Sequence, residues 1–356
     1  MSHRRSQRAQ VSIVIVFDAT ADKDMRCIES MLAQSCRELQ VLLVQTDTSL
    51  APVFARYVEH DIRVDIVEAS KLSMAEAIEL ALEQAYGDYC MILNQHAWFA
   101  PHELQAMLDK VHEYQGDMLI PARSLDIEAT GDIHSRVLLP QSQVYSKQQA
   151  FLAASISLIA EGVLQGIRGT LLRTSRIQEA MQARTSSMSK PQDAFEGLLY
   201  LLPYVQCAVV AGDISYHERL LDPAARPAQP HCFELVEQHH RELLQFVCQW
   251  NLVQDRSCLE AVHRLHLQHI IQCIDNMCLG KGRVSSLERR HRVQEIIDAP
   301  STQQSIELLH ASSKDFGLMF TPIARRSSAA CYARARLQYM FSKLFASLPF
   351  GHVCIS

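Results

Sequence analysis

The chain has 356 residues, 48% hydrophobic and 21% charged, which is enough apolar side chain to fill a sizeable core and speaks against disorder. Its net charge of −5 is small for that length and speaks against a dedicated nucleic-acid binder, which needs a basic surface. Eleven cysteines, scattered from Cys27 to Cys354 without a Cys-x-x-Cys pair, form neither a disulfide framework nor a zinc ribbon and fit a reducing compartment with mostly buried thiols.

Residues 1–10 carry Arg4, Arg5 and Arg8 and read as a disordered basic tail. The apolar run behind them is too short for a secretion signal, and no window reaches the roughly eighteen apolar residues of a membrane span. The expectation is a soluble, cytoplasmic protein. Residues 11–17 are a β-branched run, the pattern of a strand buried on both faces, and residues 24–35 read as a helix with Met25, Ile28, Met31 and Leu32 on one side. Strands follow at 41–44, 63–67 and 89–93, with an amphipathic helix over 73–85 that Gly87 stops. The alternation predicts a mostly parallel sheet flanked by helices.

After Pro101 a helix runs through Leu104, Met107, Leu108 and Val111, and residues 118–121 return to the sheet. Residues 123–149 are polar and less regular. A helix over 150–164 and a short strand at 170–173 precede the Ser-rich segment 184–191, read as a mobile loop. Pro191-Gln192-Asp193 opens a helix that runs to Tyr204, with an acid in the first turn where the helix dipole favours it, and 207–210 is a last strand. Pro223, Pro227 and Pro230 mark a linker over 223–232. Beyond it, 233–278 reads as two helices broken near 255–257, Gly280 and Gly282 mark a turn, and further helices cover 287–297, 304–310 and 329–348. The last places Leu337, Met340, Phe341, Leu344, Phe345 and Leu348 at helical spacing.

The order of these landmarks resembles the GT-A fold of family-2 glycosyltransferases over residues 11 to about 220. Val11-Ser12-Ile13-Val14-Ile15 is similar to the family's first strand, and Cys27-Ile28-Glu29-Ser30-Met31-Leu32-Ala33-Gln34-Ser35 to its first helix. Ala85-Tyr86-Gly87-Asp88-Tyr89 resembles the lead into the metal strand, and Tyr216-His217-Glu218-Arg219 the late Tyr-His-x-Arg, whose His can complete a metal site. The resemblance implies a Rossmann-like α/β domain over 11–222, a linker, and a smaller helical domain over 233–356 that ends in an amphipathic helix. It also implies a nucleotide-sugar donor, a divalent cation and a glycan or lipid-linked acceptor.

The positions that carry chemistry depart from the family. Val16 and Asp18-Ala19 stand where Pro and Tyr-Asn line the base pocket, and Gln45-Thr46-Asp47-Thr48 replaces an Asp-Asp-Gly-Ser tract, leaving Asp47 as the nearest acid. Glu79 and Ala81 occupy the positions of an Asn and a Gly beside the sugar nucleotide, where a carboxylate repels a diphosphate unless a metal intervenes. At the end of the metal strand, Asn94-Gln95-His96-Ala97 takes the place of the Asp-x-Asp tract. Asn94, His96 and His217 can ligate, but a hard ion prefers carboxylates, so affinity falls or the metal changes. The acceptor side keeps Asp193 where the family places its general base; a plain helix-start acid is the competing reading.

Two readings of function follow. One is a sugar transferase of surface-glycan assembly with a weakened or metal-independent donor site, Asp193 acting as base. The other is an inactive pseudo-glycosyltransferase that serves as scaffold for an active partner. His263, His266, His269 and Cys273 recur along one helix and are either zinc ligands or buried histidines of a packed helix. The C-terminal stripe with Arg325, Arg326, Arg334, Arg336 and Lys343 fits peripheral contact with an anionic membrane, or packing against its own domain, a protein partner or a second copy.

Overall fold

The computed structural model describes residues 9–17, 25–129, 132–164, 166–184, 194–221, 231–279 and 285–345. The basic tail up to residue 8, Asp18, most of the Ser-rich segment, Asp193, the three linker prolines, Gly280, Gly282 and Leu348 lie outside them, as do the side chains of Phe341, Lys343, Leu344 and Phe345. The chain divides into two compact units, Met1–Leu220 and Leu221–Ser356.

In the first unit β1 (Val11–Val16), α1 (Arg26–Leu32), β2 (Leu39–Gln45), α2 (Ala51–His60), β3 (Val64–Glu68), α3 (Met74–Gln84) and β4 (Tyr89–Asn94) alternate, as expected apart from α2. Then come β5 (Ala97–Trp98), α4 (Glu103–Glu113), β6 (Met118–Ala129), β7 (Asp132–Leu138), β8 (Gln143–Tyr145), α5 (Gln148–Ala160), β9 (Leu171–Arg173), α6 (Thr174–Ala183), α7 (Ala194–Leu201) and β10 (Ala208–Leu221). One sheet has the order β3-β2-β1-β4-β9-β6-β10-β5, with β7 paired to β6 and β8 to β10. β3, β2, β1 and β4 are parallel, and β9 turns antiparallel against β4.

The parallel half is legible because it is apolar on both faces: every residue of β1 and β2 is buried. Its interior packs Ile13, Ile15, Leu43 and Met91 with Ile28 and Met31 of α1 and Leu104, Met107 and Leu108 of α4. Each such side chain contributes roughly 1.5–3 kcal/mol by leaving water. α3 starts on a complete capping box, in which Ser73 accepts from the Glu76 N–H and the Glu76 carboxylate accepts from the Ser73 N–H. Gly87 has no room for a side chain, since a Cβ there would lie 2.5 Å from the Ser12 nitrogen. Its N–H donates instead to the Ser12 hydroxyl at 2.8 Å, which itself donates to Gln40 at 2.7 Å, so the glycine of the motif locks the lead-in of β4 onto β1.

Three expectations need correction. Residues 123–149 are not irregular: β6 and β7 pair from Arg123↔Leu138 to Ala129↔Asp132. Their alternating polar residues lack the apolar run that marks a buried strand, and pairing along the backbone makes up for it. β10 has 14 residues, well beyond 207–210, for the same reason. Helices α2 and α6 have no counterpart among the elements expected from the sequence; Pro52 in the first turn of α2 is its start signal.

The second unit is α-helical: α8 (Cys232–Gln249), α9 (Arg256–Leu279), α10 (Ser286–Asp298), α11 (Pro300–Leu308), α12 (Phe320–Ala324) and α13 (Ser328–Phe345). The break between α8 and α9 falls at the expected place, where Asp255 accepts from the Ser257 N–H at 2.9 Å and starts α9. Its core joins Ile270, Ile274 and Met277 of α9 to Val293 and Ile297 of α10, Phe316, Phe320, Ile323 and Cys331. Among the described residues no helix is long and apolar enough to cross a membrane.

Candidate donor site at the end of β4

β4 runs parallel to β1 and delivers Asn94 to the end of the strand, opposite Val16. Asn94 does not stand free there. Its Nδ2 donates to Glu218 Oε1 at 2.6 Å, and its Oδ1 accepts from the His96 N–H at 3.0 Å. The second Glu218 oxygen accepts from Arg123 at 2.6 Å, an ion pair whose side chains are only 11% and 8% exposed. Arg123 also donates to the Gly162 carbonyl at 3.1 Å. Three strands thus meet in one polar knot: β4 brings the amide, β10 the carboxylate and β6 the guanidinium.

The neighbouring positions are also engaged. The Arg219 N–H donates to the His96 carbonyl at 3.0 Å, and the His96 ring contacts the Gln95 amide at 3.2 Å. His217 opposes Trp98 across β10 and β5, its ring stacked on the indole at 3.9 Å and 17°. The Arg26 guanidinium lies over the same indole, 3.9 Å from a ring centre. His217 Nε2 also approaches Glu103 Oε1 at 3.9 Å, and that oxygen accepts from the Ser215 N–H at 3.2 Å.

Of the residues expected at the site, Asn94, His96 and His217 belong to this end of the sheet, and Asp18 and Asp193 lie outside the described residues. Asp47 sits after β2 as the cap of a short 3-10 turn. Its carboxylate accepts from the Ser49 N–H at 2.8 Å, and that bond holds it below the ordinary carboxylate range. Glu79 on α3 forms an ion pair with Arg184, both side chains largely buried. The charge that would repel a diphosphate is thereby balanced by the protein.

The sequence pattern did not reveal Glu218 and Arg123 as a pair. The available signal was the alternation along β10, which puts Tyr216 and Glu218 on one face and His217 on the other. Tyr216 is fully buried, and Gly169, at φ +72°, leaves the room its ring fills.

A divalent ion does not suit the donor set at this strand end. The Asn94 oxygen accepts from a backbone N–H, and Glu218, the carboxylate bonded to Asn94, is neutralised by Arg123; binding a metal at Asn94 and Glu218 would have to break a buried ion pair. Among the described residues no group of three His, Cys, Asp or Glu is arranged to hold a metal.

The fold and one stretch of sequence match known proteins. Residues 12–174 match the family model described as "Glycosyl transferase family 2". No curated protein sequence matches the chain. Among solved structures, S. aureus TarS 1-349 in complex with UDP-GlcNAc is similar at a TM-score of 0.59 and 11% identity, over 94% of this chain and 92% of that one. The same protein in complex with UDP gives 0.58 and 12% over the same shares. At such identity the likeness concerns the fold, which is GT-A-like and followed by a helical region. Residues 12–174 are thus similar to glycosyl transferase family 2, and the fold around them is GT-A-like.

Proposed function

We propose that the protein is a glycosyltransferase that takes a nucleotide-sugar donor and transfers the sugar to a surface glycan or lipid-linked acceptor, handling the diphosphate without a metal at the end of β4. The observation that carries the metal-free part is the closed Asn94–Glu218–Arg123 knot. Two further features support donor binding there. Arg184 neutralises Glu79, and Arg168 and Arg219 flank β4, the first through its bridge to Ile92 and the second through its N–H to His96. Guanidinium groups serve phosphate oxygens well because their fork of donors matches the oxygen geometry. A related structure is a complex with UDP-GlcNAc, which makes a uridine diphosphate sugar the first donor to try.

In this reading Asp193 receives the acceptor hydroxyl proton as the oxygen attacks the anomeric carbon and the nucleoside diphosphate departs. Arg168 and Arg219 offset the charge that develops on the departing diphosphate. The test is calorimetric titration with UDP and a panel of UDP-sugars, in EDTA and in manganese, with donor turnover followed in parallel. Binding that is equal in both buffers, with turnover abolished by Asp193→Ala at unchanged UDP affinity, is the expected result. Binding that requires manganese would overturn the metal-free assignment. No nucleotide binding in either buffer would favour the inactive scaffold instead.

A further inference from the structure

Residues 316–356 hold five Arg and Lys residues, at 325, 326, 334, 336 and 343, and no Asp or Glu, so this stretch carries +5 within a chain whose total is −5. α13 takes up 18 residues of it. Cys331 and Ala335, one turn apart, are buried at 0% and 1% exposure in the core of the helical unit and fix which side of α13 faces inward. At about 100° per residue, Ala333, Leu337 and Met340 fall roughly 140–200° round the helix from Ala335, on the opposite side. They are exposed there, Leu337 by 43% and Met340 by 60%.

Arg334 and Arg336 fall about 100° to either side of Ala335 and are also exposed, so cations border the apolar row on both flanks. Arg325 and Arg326 are exposed in the turn that leads into α13 and add two more. The contacts these side chains make within the protein leave their charge available. Arg326 lies 4.0 Å from Asp298 with side chains 56% and 44% exposed, a solvated pair of little strength. Arg336 donates to the Tyr332 hydroxyl at 3.0 Å, a neutral partner.

We propose that α13 lies on an anionic lipid surface, with Leu337 and Met340 entering the acyl boundary and Arg334 and Arg336 reaching the headgroup phosphates. The aliphatic stem of an Arg follows an apolar boundary while its guanidinium stays at the polar level, where its fork of donors suits phosphate oxygens. A nucleic acid would use the cations and leave the apolar row in water. A lipid surface uses both, and peripheral binding needs both, because a short apolar row or a few cations alone hold a protein only weakly. No described helix is long and apolar enough to cross a membrane, so the contact runs along the surface.

The test is flotation of the full chain on vesicles of phosphatidylcholine alone and of phosphatidylcholine with about 30% phosphatidylglycerol, at about 0.1 M and about 0.5 M sodium chloride. Neither donor nor turnover enters the assay, so its outcome is independent of whether the protein transfers sugar. The expected result is at least about tenfold tighter partition onto the anionic vesicles, with most of the bound protein released at the higher salt. Arg334→Gln with Arg336→Gln should lower the partition about fivefold for each cation removed. Leu337→Gln with Met340→Gln should lower it at least about tenfold. Equal partition onto both compositions, no flotation at the lower salt, or a double variant that floats like the unmutated chain would each overturn the proposal. A dimer that Leu337→Gln with Met340→Gln dissociates, without flotation, would overturn it in favour of a second copy on this face, and retention on RNA without flotation in favour of a nucleic acid. The lipid and salt comparisons use the unmutated chain, so a variant that fails to fold does not weaken the test.

Discussion

Replacing Glu218 by Ala removes the carboxylate that both Asn94 and Arg123 address at 2.6 Å. Arg123 stays at 11% side-chain exposure, keeping its bond to the Gly162 carbonyl but losing the Glu218 carboxylate. Breaking a buried pair from one side costs about 3–5 kcal/mol; the residual carbonyl contact places this case near the lower end, about 3 kcal/mol. For a unit of this size that is a fall in melting temperature of roughly 6–12 °C. Glu218→Gln keeps an acceptor for Asn94 and should lose about half as much. The paired change Arg123→Met with Glu218→Leu removes both charges and should recover most of the loss, because a well-packed apolar pair replaces a buried ion pair at little or no cost. Because the two tryptophans, Trp98 and Trp250, lie one in each unit, Trp250→Phe leaves Trp98 to report the first unit in urea titrations. A loss below about 0.5 kcal/mol in Glu218→Ala would mean that the pair is solvated like a surface bridge, and the argument against a metal there would fall with it.

Two further changes follow from geometry and charge. Gly169→Ala places a Cβ 2.7 Å from the Tyr216 ring at φ +72°, so the first unit should lose about 2–4 kcal/mol in the same titration; a loss under 1 kcal/mol would show that the ring yields freely. In the helical unit a hydrogen-bond chain runs from His263 to Ser305 to His266 to Glu237 at 3.0, 2.8 and 3.0 Å, with His240 stacked on His266 at 3.7 Å. Burial first, then the neighbouring imidazoles, pushes His240 down to about 3, against the pull of Glu237, and His263 down to about 4. Burial likewise brings His269 to about 4, with His239 and His266 adding to it. The folded unit therefore holds these rings neutral, and the unfolded chain binds more protons below about pH 6.5. Stability is complete above that value and falls as pH drops toward 4, by roughly 3 kcal/mol for one such ring and less than additively for the coupled set. Burial opposes but does not outweigh the His266 and Ser301 hydrogen bonds that hold Glu237 low, so its contribution is lost last, below about pH 4.5. Urea midpoints read from Trp250 in a Trp98→Phe background between about pH 7 and 4.5 test this, and a flat profile would refute it.

The first four strands and most of the helices between them are legible in the residue pattern alone, because a strand buried on both faces has to be apolar at every position and an amphipathic helix has to repeat. The same holds for the break at Asp255, where a side-chain cap writes itself into the sequence. The β6–β7 hairpin and the length of β10 are not legible in that way, since their stability comes from backbone pairing with other strands, and polar alternation alone does not announce it.

At the candidate site the sequence by itself determined only the residue types, Asn94 and His96 at the end of a buried strand and Glu79 on the helix before it, together with the expectation that they stand in place of a family's acids and of an uncharged helix position. What became of those groups only the tertiary structure decided. Glu218 lies 124 residues from Asn94 and Arg123 95 residues from Glu218, so neither partner can be inferred from local spacing. The sheet brings the three together, and in a buried place each polar group has to find a partner or lose more than it gains. Arg184 answers Glu79 in the same way from 105 residues away. Local residue types therefore state which charges each segment carries, while long-range pairing states which of them are balanced.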